Sequence, residues 1–206
     1  MLKSGIMGAV LALTLAGAAS AEPFQSFADM CVSTDADADA AELVAKGAGW
    51  RDATSLMPAD EDEEFQNTTV FLNFDPANPA SVSPGDMEVL MTGWADGEAI
   101  LEIKGVVLDV CGVMSPEGDP LRMSKQLTDH LGLPASEDDS ENMPVWLYSR
   151  QGDRFVSEAA LGEVGDEDFL AAVRQRSVYA VYVFEDDGLA GLFVGAVRPE
   201  AKAQDR

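Results

Sequence analysis

Apolar and polar positions along this chain follow two different periods, and each change of period marks an element. Phe24 to Val32 carries Phe27, Met30 and Cys31 on adjacent positions of one face, the spacing of a short helix. A second helix is expected from about Asp37 to Lys46, capped by Thr34 or Asp35 and stopped at Gly47, with Leu43, Val44 and Trp50 sealing it to the core. From Thr69 the period drops to two. Thr69 to Phe74 reads as a strand, Pro76 to Gly85 as a Pro-rich loop, and Met87 to Trp94 as a strand that turns at Asp96 and Gly97 into a third. In that third strand Leu101 and Ile103 are apolar before Gly105, but Val106, Leu108 and Val110 after it, so the slip of one position predicts a bulge at the glycine.

The second half repeats a helix followed by a hairpin. Asp119 caps and Pro120 opens a helix to Leu131, ended by Gly132 and Pro134. Val145 to Tyr148 and Arg154 to Ser157 form a hairpin around Gly152 and Asp153. A helix from about Glu167 to Arg176 has Asp166 as cap, acids in its first turn and arginines in its last, as the helix dipole favours. The last hairpin, Val178 to Phe184 and Leu189 to Val197, is apolar on both faces and is expected to be central and covered on both sides. The pattern predicts one α+β domain over residues 22–199, a mainly antiparallel sheet of hairpins with packed helices, followed by a flexible charged tail at 200–206. Cys31 in the first helix, the Ala-rich second helix and the closing Gly49 and Trp50 resemble small uncharacterised exported proteins of alphaproteobacterial type. That resemblance covers residues 24 to 51 and implies export but no activity.

Residues 1–21 have the zones of a secretory signal peptide: Lys3, an apolar run from Gly5 to Leu15, and the small residues Ala19, Ser20 and Ala21 as a cleavage site. The apolar run is shorter than the roughly 20 residues a bilayer requires. Cys31 lies well beyond Ala21, which excludes the cysteine placement of a lipoprotein. A periplasmic or secreted protein without membrane insertion is therefore expected. In such a compartment Cys31 and Cys111 are expected to form one structural disulfide, and neither has the C-x-x-C neighbour of a catalytic thiol.

The 206 residues include 37 Asp and Glu against 13 Lys and Arg, a formal charge of −24 at pH 7. Loss of the leader removes Lys3 and makes the balance more negative. Such a surface repels nucleic acid and anionic lipid; it reads either as a solubilising charge, with self-repulsion relieved by salt, or as a face for a basic protein or another cationic partner. The candidate interaction surface is the run Asp60, Glu61, Asp62, Glu63 and Glu64, the run Glu137, Asp138, Asp139 and Glu141, and Trp94 beside its turn. Trp50 and Trp146 read as core.

No cofactor or metal is expected. Asp35, Asp37 and Asp39 imitate the start of an EF-hand loop, but Ala40 and Lys46 stand where glycine and glutamate are needed. No phosphate-binding glycine loop and no G-x-S-x-G elbow occurs. His130 is the only histidine, too few for a zinc site, and its place near a helix end suits it to the last carbonyls and the dipole. The leading expectation is a binding or inhibitory protein that takes a cationic macromolecule. The alternatives are a periplasmic hydrolase built from carboxylates and His130, with Ser115 or Ser124 as nucleophile, and a structural component of the envelope.

Export leads to a direct test. The intact mass of the exported protein should correspond to cleavage after Ala21, and a retained leader or a lipid adduct would overturn the assignment of compartment.

Overall fold

The computed structural model describes residues 23–56, 65–101, 103–137, 144–186 and 188–200. The leader 1–21, the run Asp60 to Glu64, and Asp138, Asp139 and Glu141 lie outside them. Helix α1 (Pro23–Phe27) runs directly into one π-helical turn, Ala28–Val32, and α2 (Ala38–Gly47) follows. The strands are β1 (Arg51–Asp52), β2 (Phe65–Leu72), β3 (Val89–Asp96), β4 (Val106–Ser115), β5 (Ser136–Glu137), β6 (Pro144–Gln151), β7 (Arg154–Ser157), β8 (Val178–Asp186) and β9 (Leu189–Pro199). The remaining helices are α3 (Gly97–Leu101), α4 (Pro120–Leu131) and α5 (Asp166–Gln175).

The nine strands among the described residues join one antiparallel sheet in the order β1-β2-β3-β4-β9-β8-β6-β5, and β7 shares the outer edge of β6 with β5. The fold is α+β, as the alternation of hairpins and helices predicts. β4 and β9 pair over ten positions at the centre, where β4 is buried almost throughout. On one face, Cys111, Val113, Leu192, Val194 and Val181 meet Phe27, Ala41, Ala45, Met123 and Leu127 from α1, α2 and α4. On the other, Phe169 and Val173 of α5 pack on Val106, Val178 and Val197 at one end of the sheet.

Several local expectations change. The cap of α2 is Asp37, whose Oδ1 accepts from Ala40 N–H at 2.9 Å, and not Thr34 or Asp35. Ala41 and Ala45 seal that helix, while Leu43 is 72% exposed; small side chains let the helix approach the sheet, and the face bearing Leu43 and Val44 turns outward. Trp50 is half-buried against the core as expected. The turn at Asp96 and Gly97 opens into α3, so Leu101 is helical and the third strand starts at Val106. Gly105 (φ 77°) reverses the chain there instead of forming a bulge; the register shift lies in β2 between Gln66 and Thr69. The cap of α5 is Gly165, with Asp166 already inside the helix. The last hairpin is central but covered fully on one side only: Tyr182, Phe184 and Phe193 stay half-buried beyond the reach of α5. Glu200, the first residue of the expected tail, is tied by its N–H to Gly105 O at 3.1 Å.

Cys31 and Cys111 form a disulfide, with Cα atoms 5.4 Å apart and 80 residues between them in sequence. It fixes the π turn to the middle of β4. In the chain-entropy view such a link removes about 4–5 kcal/mol of freedom from the unfolded chain. Cys31→Ser and Cys111→Ser should therefore lower stability strongly and equally, as read by thermal or denaturant unfolding. Two free thiols in the native protein without reductant would contradict the bridge.

Candidate functional site

Two features of the surface have chemistry that the fold brings together. The first is a cleft of about 320 Å³ between α1, the π turn, the end of α4 and the β6–β7 hairpin, whose walls include Phe24, Asp29, His130, Arg150 and Phe155. α4 positions His130. Asp119 Oδ1 accepts from Leu121 and Arg122 N–H at 3.0 and 3.1 Å, Met123, Leu127 and Leu131 face the core, and Gly132 in the left-handed conformation ends the helix. His130 borders that buried stripe. Its ring stands edge-on to Phe24 at 5.7 Å and tilted to Phe155 at 5.6 Å.

Arg150 closes the cleft from β6. Its Nη1 donates to Asp35 Oδ1 at 2.7 Å and its guanidinium lies 5.3 Å from the centre of the Phe155 ring. Asp35 and the fully buried Ala36 are both left-handed, at φ 57° and 58°. A non-glycine residue held there costs roughly 1–2 kcal/mol, and the Arg150 bond helps keep this corner closed. Burial, and then the nearby Arg150 charge, hold the His130 pKa below its ordinary value; Asp29 opposes them. Both influences disfavour charge on the ring, which packs between the rings of Phe24 and Phe155.

Ser124 Oγ donates to Pro120 O at 2.8 Å, and Ser115 is buried at the end of β4. Ser33, which lines the cleft, donates to Asp29 O at 2.5 Å, and Asp29 Oδ2 accepts from Gln25 Nε2 at 2.9 Å. Among the described residues no serine is hydrogen-bonded to His130, as an activated nucleophile requires. Nor does any group of three or more His, Cys, Asp or Glu among them stand ready to hold a metal ion.

The second feature is one end of the sheet. Leu72 pairs with Val89, Ser115 with Ala190 and Asp186 with Leu189, so the β2–β3, β4–α4 and β8–β9 connections all leave from that end. These connections carry Asp75, Asp86, Glu117 and Asp119, and the end of β8 adds Glu185 and Asp186, the last four of the six being exposed. Asp75 pairs with Arg51 at 2.9 Å. The Glu117 carboxylate overlies Gly85, which brings two of these connections together. β5 puts Glu137 toward the same end, opposite Pro144.

Trp94 stands at the other end, half-buried and paired in register with Gln66 and Asp109, the latter bonded by Arg198 Nε. The expected surface is thus divided, with Trp94 and Glu137 at opposite ends of the sheet. The acids at 75, 86, 117 and 119 were missed because they are scattered singly in sequence and meet only through strand register. The aromatic walls of the cleft give no sequence signal, since Phe24, His130 and Phe155 come from three separate segments. Among the described residues no helix is long and apolar enough to cross a membrane. No family model matches the chain, and no match to it was found among curated proteins or solved structures.

The cleft makes a prediction for titration. By NMR, His130 should protonate below the ordinary histidine range, and Arg150→Met should raise its midpoint by removing the repelling cation. An unchanged midpoint would mean that Arg150 is not felt by the ring.

Proposed function

We propose that this chain is an exported protein that binds or inhibits a basic macromolecule through the acidic end of its sheet. The observation that supports this reading is the convergence of Asp75, Asp86, Glu117, Asp119, Glu185 and Asp186 at one end of the sheet, within a chain of formal charge −24. Loops that leave a rigid sheet from one end can present charge to a partner while the strands keep it in place. Opposite charge steers encounter and raises the association rate, and salt screens it within a Debye length of about 10 Å at 0.1 M. Export rests on the leader and on the disulfide, which persists in an oxidising compartment.

A hydrolase is the second reading, favoured by one observation: His130, Asp29 and Ser33 share the walls of one cleft. It requires Ser33 to exchange its bond to the Asp29 carbonyl for one to the imidazole.

Two triple variants test the leading reading against poly-L-lysine. Glu117→Gln, Glu185→Gln and Asp186→Asn neutralise the proposed end. Asp166→Asn, Glu167→Gln and Asp168→Asn remove the same charge from the first turn of α5. The first set should slow association severalfold more than the second and flatten its salt dependence. Equal effects would show that bulk charge alone attracts the polycation and would remove the case for a site at this end.

A further inference from the structure

Helix α1 lies over a carboxyl group that water does not reach. Glu88, just before β3, is 1% exposed. Asn73 fixes its backbone from both directions: Glu88 N–H donates to Asn73 Oδ1 at 2.9 Å, and Asn73 N–H donates to Glu88 O at 3.2 Å. From α1, Ser26 Oγ donates to Glu88 Oε2 at 2.6 Å, whereas Glu88 Oε1 is buried with no hydrogen-bond partner among the described residues. Continued one step past Val89 and Met114, the β3–β4 register sets Glu88 opposite Ser115, whose hydroxyl is likewise buried with no hydrogen-bond partner among the described residues.

The surroundings favour the neutral acid. Burial is the main influence raising the Glu88 pKa; the Ser26 bond opposes it and Asp86 adds to it. The β4–α4 turn contributes Glu117, a further acid, over Gly85. The buried residues of α4 and β9 packed beneath α1 are apolar, among them Met123, Leu127, Ala190 and Leu192. A protonated carboxyl can accept from Ser26 and still donate its own proton, while a carboxylate leaves an uncompensated charge in this layer.

We propose that Glu88 is a proton-controlled latch on α1: protonated, it holds the helix closed over the sheet; ionised, it releases Pro23–Phe27. The disulfide limits the movement, because Cys31 in the next turn is bonded to Cys111 of β4. Phe24 and Gln25 belong to the wall of the His130 cleft, so release of α1 opens that cleft on one side. The latch is thus a control on access, independent of what the acidic end of the sheet binds.

The direction with pH follows from where the proton is held. Closure has its full advantage below the ordinary carboxylate range, loses it as pH rises toward the raised midpoint of Glu88, and levels off above that midpoint. Backbone hydrogen exchange at Phe27 and Ala28, corrected for intrinsic rate over about pH 4 to 8, should report opening that increases roughly tenfold per pH unit within that window. Cys31 and Val32, at the disulfide, should not share the change. Glu88→Gln should abolish the pH dependence. Ser26→Ala should move its midpoint upward, since the lost bond favoured the ionised form. A pH-independent wild type, or the same dependence in Glu88→Gln, would falsify the latch. If Glu88→Gln does not fold, Ser26→Ala decides: an unmoved midpoint also overturns the proposal.

Discussion

The bond between Cys31 and Cys111 sets the position of the described residues that precede α2. A helix as short as Pro23–Phe27 is marginal by itself in water, and here it is carried by a π turn whose cysteine is bonded to the central region of the sheet. The widened turn, closed by Ser33 N–H to Ala28 O at 3.0 Å, directs Cys31 inward with Phe27 and Met30. Phe24 then reaches His130, and Ser26 reaches Glu88. Chain direction is recovered in the left-handed pair Asp35 and Ala36, which Arg150 holds from β6. One covalent link thus determines both a wall of the cleft and the cover of a buried acid.

The less covered face of the sheet is shaped by glycines. A Cβ on Gly112 would lie 2.1 Å from the Phe193 ring, and one on Gly191 would lie 2.7 Å from that of Phe184. These rings lie down on the backbone and stack on each other at 5.2 Å, with Phe65 stacked on Phe193 at 5.9 Å. Aromatic area is buried here against main chain instead of a helix, which lets this face do without full cover. A second polar tie secures α5 at the far end: Arg176 Nε and Nη2 donate to the two oxygens of Glu158 at 2.7 and 2.5 Å, and Ser149 Oγ donates to the same carboxylate at 2.7 Å. Those bonds hold the Glu158 pKa below its ordinary range, Arg176 foremost.

What could be read from the sequence was what is local. Asp119, Pro120 and Gly132 bracket α4 with signals that act within a few residues, and the helix lies where they put it. The apolar residues on both faces of β8 and β9 likewise identify a central hairpin. The errors arise where tertiary distance decides. Alanines seal α2 because the helix comes close to the sheet, which apolarity alone does not reveal. α3 occupies a turn that looked two residues long because Gly97 is pressed against Val106, where a Cβ would be 2.2 Å from Cγ2. Net charge was visible at once, but its gathering at one end depends on register. Glu88 reads as one acid among 37 until the fold places α1 over it.

The edges of the sheet have a further consequence. β1 and β5 are two residues each, and β7 adds only four beside β5 on the outer side of β6. An unpaired strand edge recruits strands from other molecules in proportion to its length and flatness, and charge beside it discourages the approach. Here β1 and β5 are short, the register shift between Gln66 and Thr69 breaks the part of β2 that β1 leaves uncovered, and the whole carries many like charges. Molecules of this kind can be crowded together without templating one another into intermolecular β-structure, even though their central strands are rich in valine.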